Sequence, residues 1–181
     1  MEGIATSMDV MAAIGQRREI TKFKSDPIPP EALDTLVRSL YLAPSGNNLP
    51  SREFIVVQDK KMLRELTSTT PYMPWLEHAA VGIVIIANPG ESKYWLQDAS
   101  IASGFVWLAA VSLGLGGAWG AVYHAEDAEE SKRREDHVRR LLRVPESYRV
   151  LAILGFGYPD EVPPAKSKYS LERVLHREAF S

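Results

Sequence analysis

Cysteine is absent from the 181 residues. That excludes disulfides, thiolate metal sites, iron–sulfur clusters and a cysteine nucleophile, and it fits a reducing compartment. Histidine is scarce. The four, at positions 78, 124, 137 and 176, include no pair at the i,i+4 spacing of a helical zinc site, so no metal is expected. An excess of one charge is also missing. Twenty-one Lys and Arg against 23 Asp and Glu leave a formal charge of −2, with no global basic field for nucleic acid or an anionic membrane. No apolar run reaches the roughly 18 residues that span a bilayer. Met1-Glu2-Gly3-Ile4 lacks the basic region and apolar stretch of a signal peptide. The expectation is a cytoplasmic protein with no nucleic-acid or membrane partner. Internal repeats, low-complexity segments and linkers are lacking too, so 1–181 is expected to be a single domain. Walker, EF-hand and G-x-S-x-G patterns are absent. Few protein-borne groups suit acid–base or nucleophilic chemistry, which suits an enzyme whose reactive group is a cofactor.

What is present is a mixture of helical and strand patterns at 45% apolar content. Ser7 is placed to cap a first helix, with Val10, Met11 and Ile14 on its apolar side. Leu33, Leu36, Val37, Leu40 and Tyr41 follow the spacing of one buried helical face, which Pro44 ends. Phe54 to Val57, Val81 to Ala87 and Val150 to Leu154 read as buried strands, and Ala118 to Tyr123 as a fourth. Lys60 to Ser68 suggests a short helix. The longest helix is expected from Tyr94 to Leu113. Its Ala99, Ala102, Ser103, Gly104, Ala109 and Ala110 predict close packing on several sides. Glu126 to Leu142 is highly charged, and its charge run reads as a solvated face anchored by Val138, Leu141 and Leu142. From Gly155 a proline-containing tail leads to a short amphipathic end, Leu171 to Leu175. No strict βαβ alternation appears, which favours an α+β sheet.

Four scattered segments could carry chemistry. Arg17-Arg18 offers two guanidiniums able to clamp a phosphate, or two solvated surface arginines. Lys166 and Lys168 flank Ser167 and, if extended, point the same way; a basic patch on a loose tail is the plainer reading. Pro44-Ser45-Gly46-Asn47-Asn48 is either ordinary turn chemistry or a loop whose amides read a polar ring. Gly114 to Gly120 follows a helix and not a strand, so it is no dinucleotide fingerprint. It is a helix stop or a place where backbone approaches a planar ligand.

In their order these segments resemble the nitroreductase family of flavoenzymes over nearly the whole chain. The matching stretches are Arg17-Arg18-Glu19-Ile20-Thr21-Lys22-Phe23, Leu42 to Leu49, Phe54 to Val57, Gln97-Asp98-Ala99-Ser100, Leu113 to Gly116, Val144 to Tyr148, Leu154 to Pro159 and Lys166-Ser167-Lys168. The resemblance implies an α+β fold, with a mixed sheet flanked by helices and the long central helix at a homodimer interface. It also implies two FMN sites between the subunits. Arg17, Arg18, Lys166 and Lys168 would hold phosphate and ribityl groups. Pro44, Ser45 and Asn48 would reach the flavin from the other subunit, and backbone around Ala118, Trp119 and Gly120 would face the ring. Glu19 stands at a usual serine, Thr21 at a usual basic residue, Pro50 and Arg52 at Gln and Trp, and Ala121-Val122 at a glycine-containing pair. The implied activity passes hydride from NADH or NADPH through FMN to a nitroaromatic, quinone or similar acceptor. The alternatives are another FMN reaction on the same fold, a flavin-storage protein, or a dimeric interaction module with a degenerate site.

Overall fold

The computed structural model describes residues 8–180; Ser7, the expected cap, lies outside them. Asp9 caps instead, its carboxylate accepting from Ala12 N–H at 2.9 Å, and opens helix α1, Val10–Gln16. Helix α2, Pro30–Leu42, starts on a proline whose missing N–H costs nothing in a first turn. Helix α3 is Lys60–Leu66, α4 Trp95–Ser112 and α5 Ala128–Leu142. Strands β1 (Arg52–Val57), β2 (Val81–Ala87), β3 (Gly116–Ala121) and β4 (Arg149–Gly157) form one sheet in the order β1-β2-β4-β3. The three strand pairs are antiparallel, and a parallel bridge from Glu19 to Gly117 makes the edge mixed. β4 runs on to Gly157, past the Gly155 at which the sequence suggested a tail. β3 begins two residues before the expected start.

Both faces of the sheet are covered. On one, Ile83, Ile85, Leu154 and Phe156 pack with Leu36 and Leu40 of α2 and Ala99, Ala102 and Val106 of α4. On the other, Val84, Ile86 and Ile153 pack with Leu63 and Leu66 of α3 and Val138 of α5. Each fully buried leucine or isoleucine contributes about 1.5–3 kcal/mol. Double coverage explains the unbroken apolar run of β2, whose alternate residues serve opposite cores.

Several expectations about burial are corrected. Of the apolar run Phe54 to Val57 in the outer strand β1, only Val57 is buried, Phe54 and Ile55 are half-buried and Val56 is exposed, because an edge strand has a neighbour on one side only. Val10, Met11 and Ile14 face outward, Met11 at 72% exposure, and only Ala13 of α1 is buried. Val37 and Tyr41 flank the buried stripe of α2 and lie open, Tyr41 at 80%. The stripe that meets α4 is Ala32, Leu36 and Leu40, which is narrower than the sequence pattern. Of the expected anchors of the charged helix α5, Val138 is buried and Leu141 and Leu142 are half-buried. Ser131, Arg134, Glu135 and Val138 form its buried stripe, three of the four polar. The C-terminal segment makes only a 3-10 turn, Leu171–Arg173, and Leu171, Val174 and Leu175 remain exposed. Among the described residues no helix is long and apolar enough to cross a membrane.

Candidate functional site

β3 is one of the two edge strands of the sheet, the other being β1. The pleat of β3 can be read from two contacts. Ile20 N–H donates to Gly117 O at 2.9 Å, and Arg134 Nη1 donates to Ala121 O at 3.2 Å. Backbone groups of alternate residues on an antiparallel strand point the same way. The N–H and C=O of Trp119, and the N–H of Ala121, therefore also point away from β4. Those of Ala118 and Gly120 point toward β4 and belong to the ladder. Of the three expected backbone contributors only Trp119 offers an outward amide, and Ala121, which sequence reasoning passed over, offers a second.

The glycines of β3 serve close packing. A Cβ on Gly116 would lie 2.5 Å from Ile20 Cγ1, and one on Gly117 2.5 Å from Phe156 Cδ1. One on Gly120 would overlap Met73 Sδ. Gly114 is the helix stop: at φ +74° it takes the left-handed position, Gly114 N–H reaches Val111 O, and Leu115 N–H reaches Ala110 O.

The basic opening segment lies beside this edge. After Glu19 and Ile20 touch Gly117, the chain runs on so that Phe23 bridges Pro159, Lys24 N–H donates to Tyr158 O, and Asp160 N–H donates to Lys22 O. Residues 19–24 thus tie β3 to the segment leaving β4. An ion pair between Lys22 and Glu161 adds to the tie. Lys166 and Lys168 lie beyond it, exposed, on a stretch without regular structure.

The two arginines separate in role. Arg18 turns back, donating to Gly15 O at 2.9 Å and to Arg17 O at 2.8 Å, and so satisfies carbonyls at the end of α1. Arg17 sits with its guanidinium 4.8 Å from the centre of the Trp107 ring on α4, a cation–π placement. Arg17 is exposed, and no hydrogen bond of its side chain is seen among the described residues. Glu19 is exposed, and alternation places it opposite the buried Ile20.

The loop after α2 is a 3-10 turn, Gly46–Asn48, with Asn47 at φ 54° and Asn48 at φ 55°. Asparagine tolerates the left-handed region better than most residues. Pro44 and Asn48 are exposed and Ser45 is half-buried. Ser45 Oγ donates to Leu49 O at 2.8 Å. Asp98 of α4 holds the loop: it accepts from Gly46 N–H at 2.8 Å and from Ser51 Oγ at 2.6 Å. Arg52 donates to Ala43 O. Burial depresses the Arg52 guanidinium below its ordinary value, opposed by the charge of Asp98.

Sequence reasoning also missed a buried ion pair under the far end of the sheet. Glu135 accepts from Arg149 Nη2 at 2.7 Å, Arg139 Nη2 at 3.0 Å, Ser131 Oγ at 2.9 Å and Val150 N–H at 3.1 Å. Arg149 lies over the rings of Trp95 and Tyr123, which meet edge to face. Burial pushes the Glu135 carboxyl up, but Arg149, the Val150 amide and Ser131 together hold it below its usual range. The only signal in the sequence was the i, i+3, i+4, i+7 spacing of Ser131, Arg134, Glu135 and Val138.

Among the described residues no group of three or more His, Asp or Glu side chains is arranged to hold a metal. The structure does not bring the expected site residues together within one copy: Arg17 lies over Trp107, the outward amide of Trp119 is on β3, and the loop at Pro44, Ser45 and Asn48 is held against Asp98.

The sequence profile of the nitroreductase family matches residues 14–70 and 63–158. A protein of Methanothermobacter thermautotrophicus, provisionally named an NADH dehydrogenase/NAD(P)H nitroreductase, is 33% identical over 96% of this chain and 90% of its own length. The FMN reductase [NAD(P)H] of Bacillus subtilis is 26% identical over 95% of this chain and 74% of its own. The structure of an FMN-dependent nitroreductase from Clostridium difficile superposes with a TM-score of 0.82 at 33% identity, covering 94% of this chain and 99% of that one.

Proposed function

The chain belongs to the nitroreductase family, and from that premise we propose that it is an FMN-dependent oxidoreductase using NADH or NADPH, with sites completed between two copies of the chain. The observation that carries the reading is the outward backbone of β3 at Trp119, on the strand to which the segment following Arg17 and Arg18 is bridged at Gly117. Bound FMN would supply two-electron chemistry between the nicotinamide and an acceptor such as a nitroaromatic or quinone, the two taken in turn at one site in a ping-pong sequence.

The residues divide this work. Arg17 binds the phosphate, joined by Lys166 and Lys168 when the exposed tail folds onto the anion. Arg18 acts through backbone, keeping the end of α1 in place. Glu19 contributes its main chain to the sheet edge and turns its carboxylate to solvent. Trp119 N–H donates to the polar edge of the ring, and the backbone of Ala118 and Gly120 keeps Trp119 in register on β4. Pro44, Ser45 and Asn48 come from the second copy.

A second copy is favoured by the apolar surface this chain leaves open. Val10, Met11 and Ile14 of α1, Ile101 and Phe105 of α4, and Tyr41 and Leu42 of α2 are all exposed. Between α1 and α4 runs a groove lined by Val10, Phe105, Leu108 and Ala109. Exposed apolar side chains on three neighbouring helices support an interface with a second copy.

The test is spectroscopic. Purified protein with FMN should be yellow and should bleach on anaerobic addition of NADH or NADPH. A yellow protein that stays oxidised refutes the enzyme reading and favours a flavin carrier. Arg17→Ala and Lys168→Ala should weaken FMN binding by about 1.5–3 kcal/mol for each lost charged hydrogen bond, and should hardly affect riboflavin. Equal losses for the two flavins would contradict the phosphate assignment.

A further inference from the structure

Asp98 is an acid in the first turn of a helix whose other buried residues are apolar or small. It is 2% exposed. A buried carboxyl is costly unless its oxygens are matched by donors, and here both are. The donors come from a loop about fifty residues earlier in the chain: the Gly46 amide takes one oxygen and the Ser51 hydroxyl the other. These two contacts bracket Asn47 and Asn48, the two consecutive left-handed residues of the turn. A free loop would relax out of such a pair. Fixed on both sides by one carboxyl group, it cannot.

Neighbouring groups close the remaining escape routes. Tyr94, just before α4, fills the space at Gly46, where an added Cβ would come within 2.6 Å of Tyr94 Cδ2. On the other side Arg52 donates to Ala43 O, at the root of the loop. Its Nε is buried with no hydrogen-bond partner among the described residues, so the nearby charge of Asp98 offsets its burial. The turn's own hydrogen bonds, Ser45 Oγ to Leu49 O and Asn48 N–H to Ser45 O, shape the loop, and α4 anchors it through Asp98.

We propose that Asp98 is a positioning residue for the cofactor: through Gly46 and Ser51 it fixes the turn that presents Pro44, Ser45 and Asn48 to the flavin ring held by the other copy. The inference rests on the flavin site proposed above. Asp98 itself touches neither cofactor nor substrate. Its effect is on the ring and in trans, whereas that of Arg17 is on the phosphate and in cis.

The experiment titrates full-length Asp98→Asn and the milder Ser51→Ala with FMN and with riboflavin, following flavin fluorescence. The asparagine keeps the size but replaces one acceptor by an N–H₂ group. Expected is a loss of tenfold or more in affinity for Asp98→Asn, by the same factor for both flavins, and a smaller loss with the same equality for Ser51→Ala. A mixed dimer then carries Asp98→Asn in one copy and Arg17→Ala in the other. If Asp98 acts in trans, half of its sites bind FMN as wild type and half carry both losses.

Wild-type affinity in both single variants overturns the positioning role. So does a loss confined to FMN. A mixed dimer in which every site carries one loss overturns action across the interface. A wild-type protein that binds neither flavin overturns the proposed function, and this inference with it, and is distinguished by failing before any variant is made.

Discussion

Glu135→Ala removes the acceptor on which four donors converge. Arg149, Arg139, the Ser131 hydroxyl and the Val150 amide would all lose a partner. The side chain is 1% exposed, so water cannot replace it without opening the packing of α5 on β4. Removing one member of a buried ion pair costs about 3–5 kcal/mol, a large share of the roughly 5–15 kcal/mol that holds a domain folded. For a chain of this length each kcal/mol moves the melting temperature by about 2–4 °C. The expected drop is about 6–20 °C, read by circular dichroism at pH 7 without added flavin. Glu135→Gln, which keeps volume and one acceptor, should fall between.

The pH dependence gives a second reading. The carboxyl is held below its usual range in the folded protein. Its stabilisation is therefore complete above the ordinary carboxylate pKa of roughly 4.3, and is lost as pH falls through the folded value. The gap between wild type and Glu135→Ala should stay constant from pH 7 to about 5 and narrow in stronger acid. A drop below about 3 °C at pH 7, or a gap that widens in acid, would refute the reasoning.

The remaining expectations are simpler. Gly116→Ala should cost about 1–3 kcal/mol by urea denaturation, because its Cβ meets Ile20, which is itself pinned to Gly117; Gly15→Ala, with nothing within 4 Å, is the control and should cost nothing. Glu19→Ser should leave FMN affinity near wild type, because the exposed carboxylate lies opposite Ile20; a tenfold gain, about 1.4 kcal/mol, would show that it faces the phosphate. Sedimentation at micromolar concentration should show a dimer, whose interface would bury on the order of 2,000 Å² or more if it is obligate, and a stable folded monomer would sink the two-copy site.

Much of the fold was legible because it depends on periodicity. The apolar runs of β2 and β4 and the small-residue helix α4 each announce how they pack, and the order of short motifs carried the family. Local chemistry also offered the helix stop at Gly114 as one of two readings and placed the end of α2 before Pro44. Three things needed the tertiary structure. The exposure of Val10, Met11, Ile14, Val37 and Tyr41 depends on which neighbours exist, and a periodic pattern cannot say whether its partner is the same chain or another. The polar stripe of α5 is buried because Arg149 and the Val150 amide arrive from β4, fourteen and fifteen residues away, so charge alone misread it as solvated. The placement of Arg17 over Trp107, the outward amide of Trp119 and the hold of Asp98 on Gly46 and Ser51 are all set by contacts between distant segments. Residue type gives a side chain its donors and acceptors, but only the folded chain decides which of them are already spent.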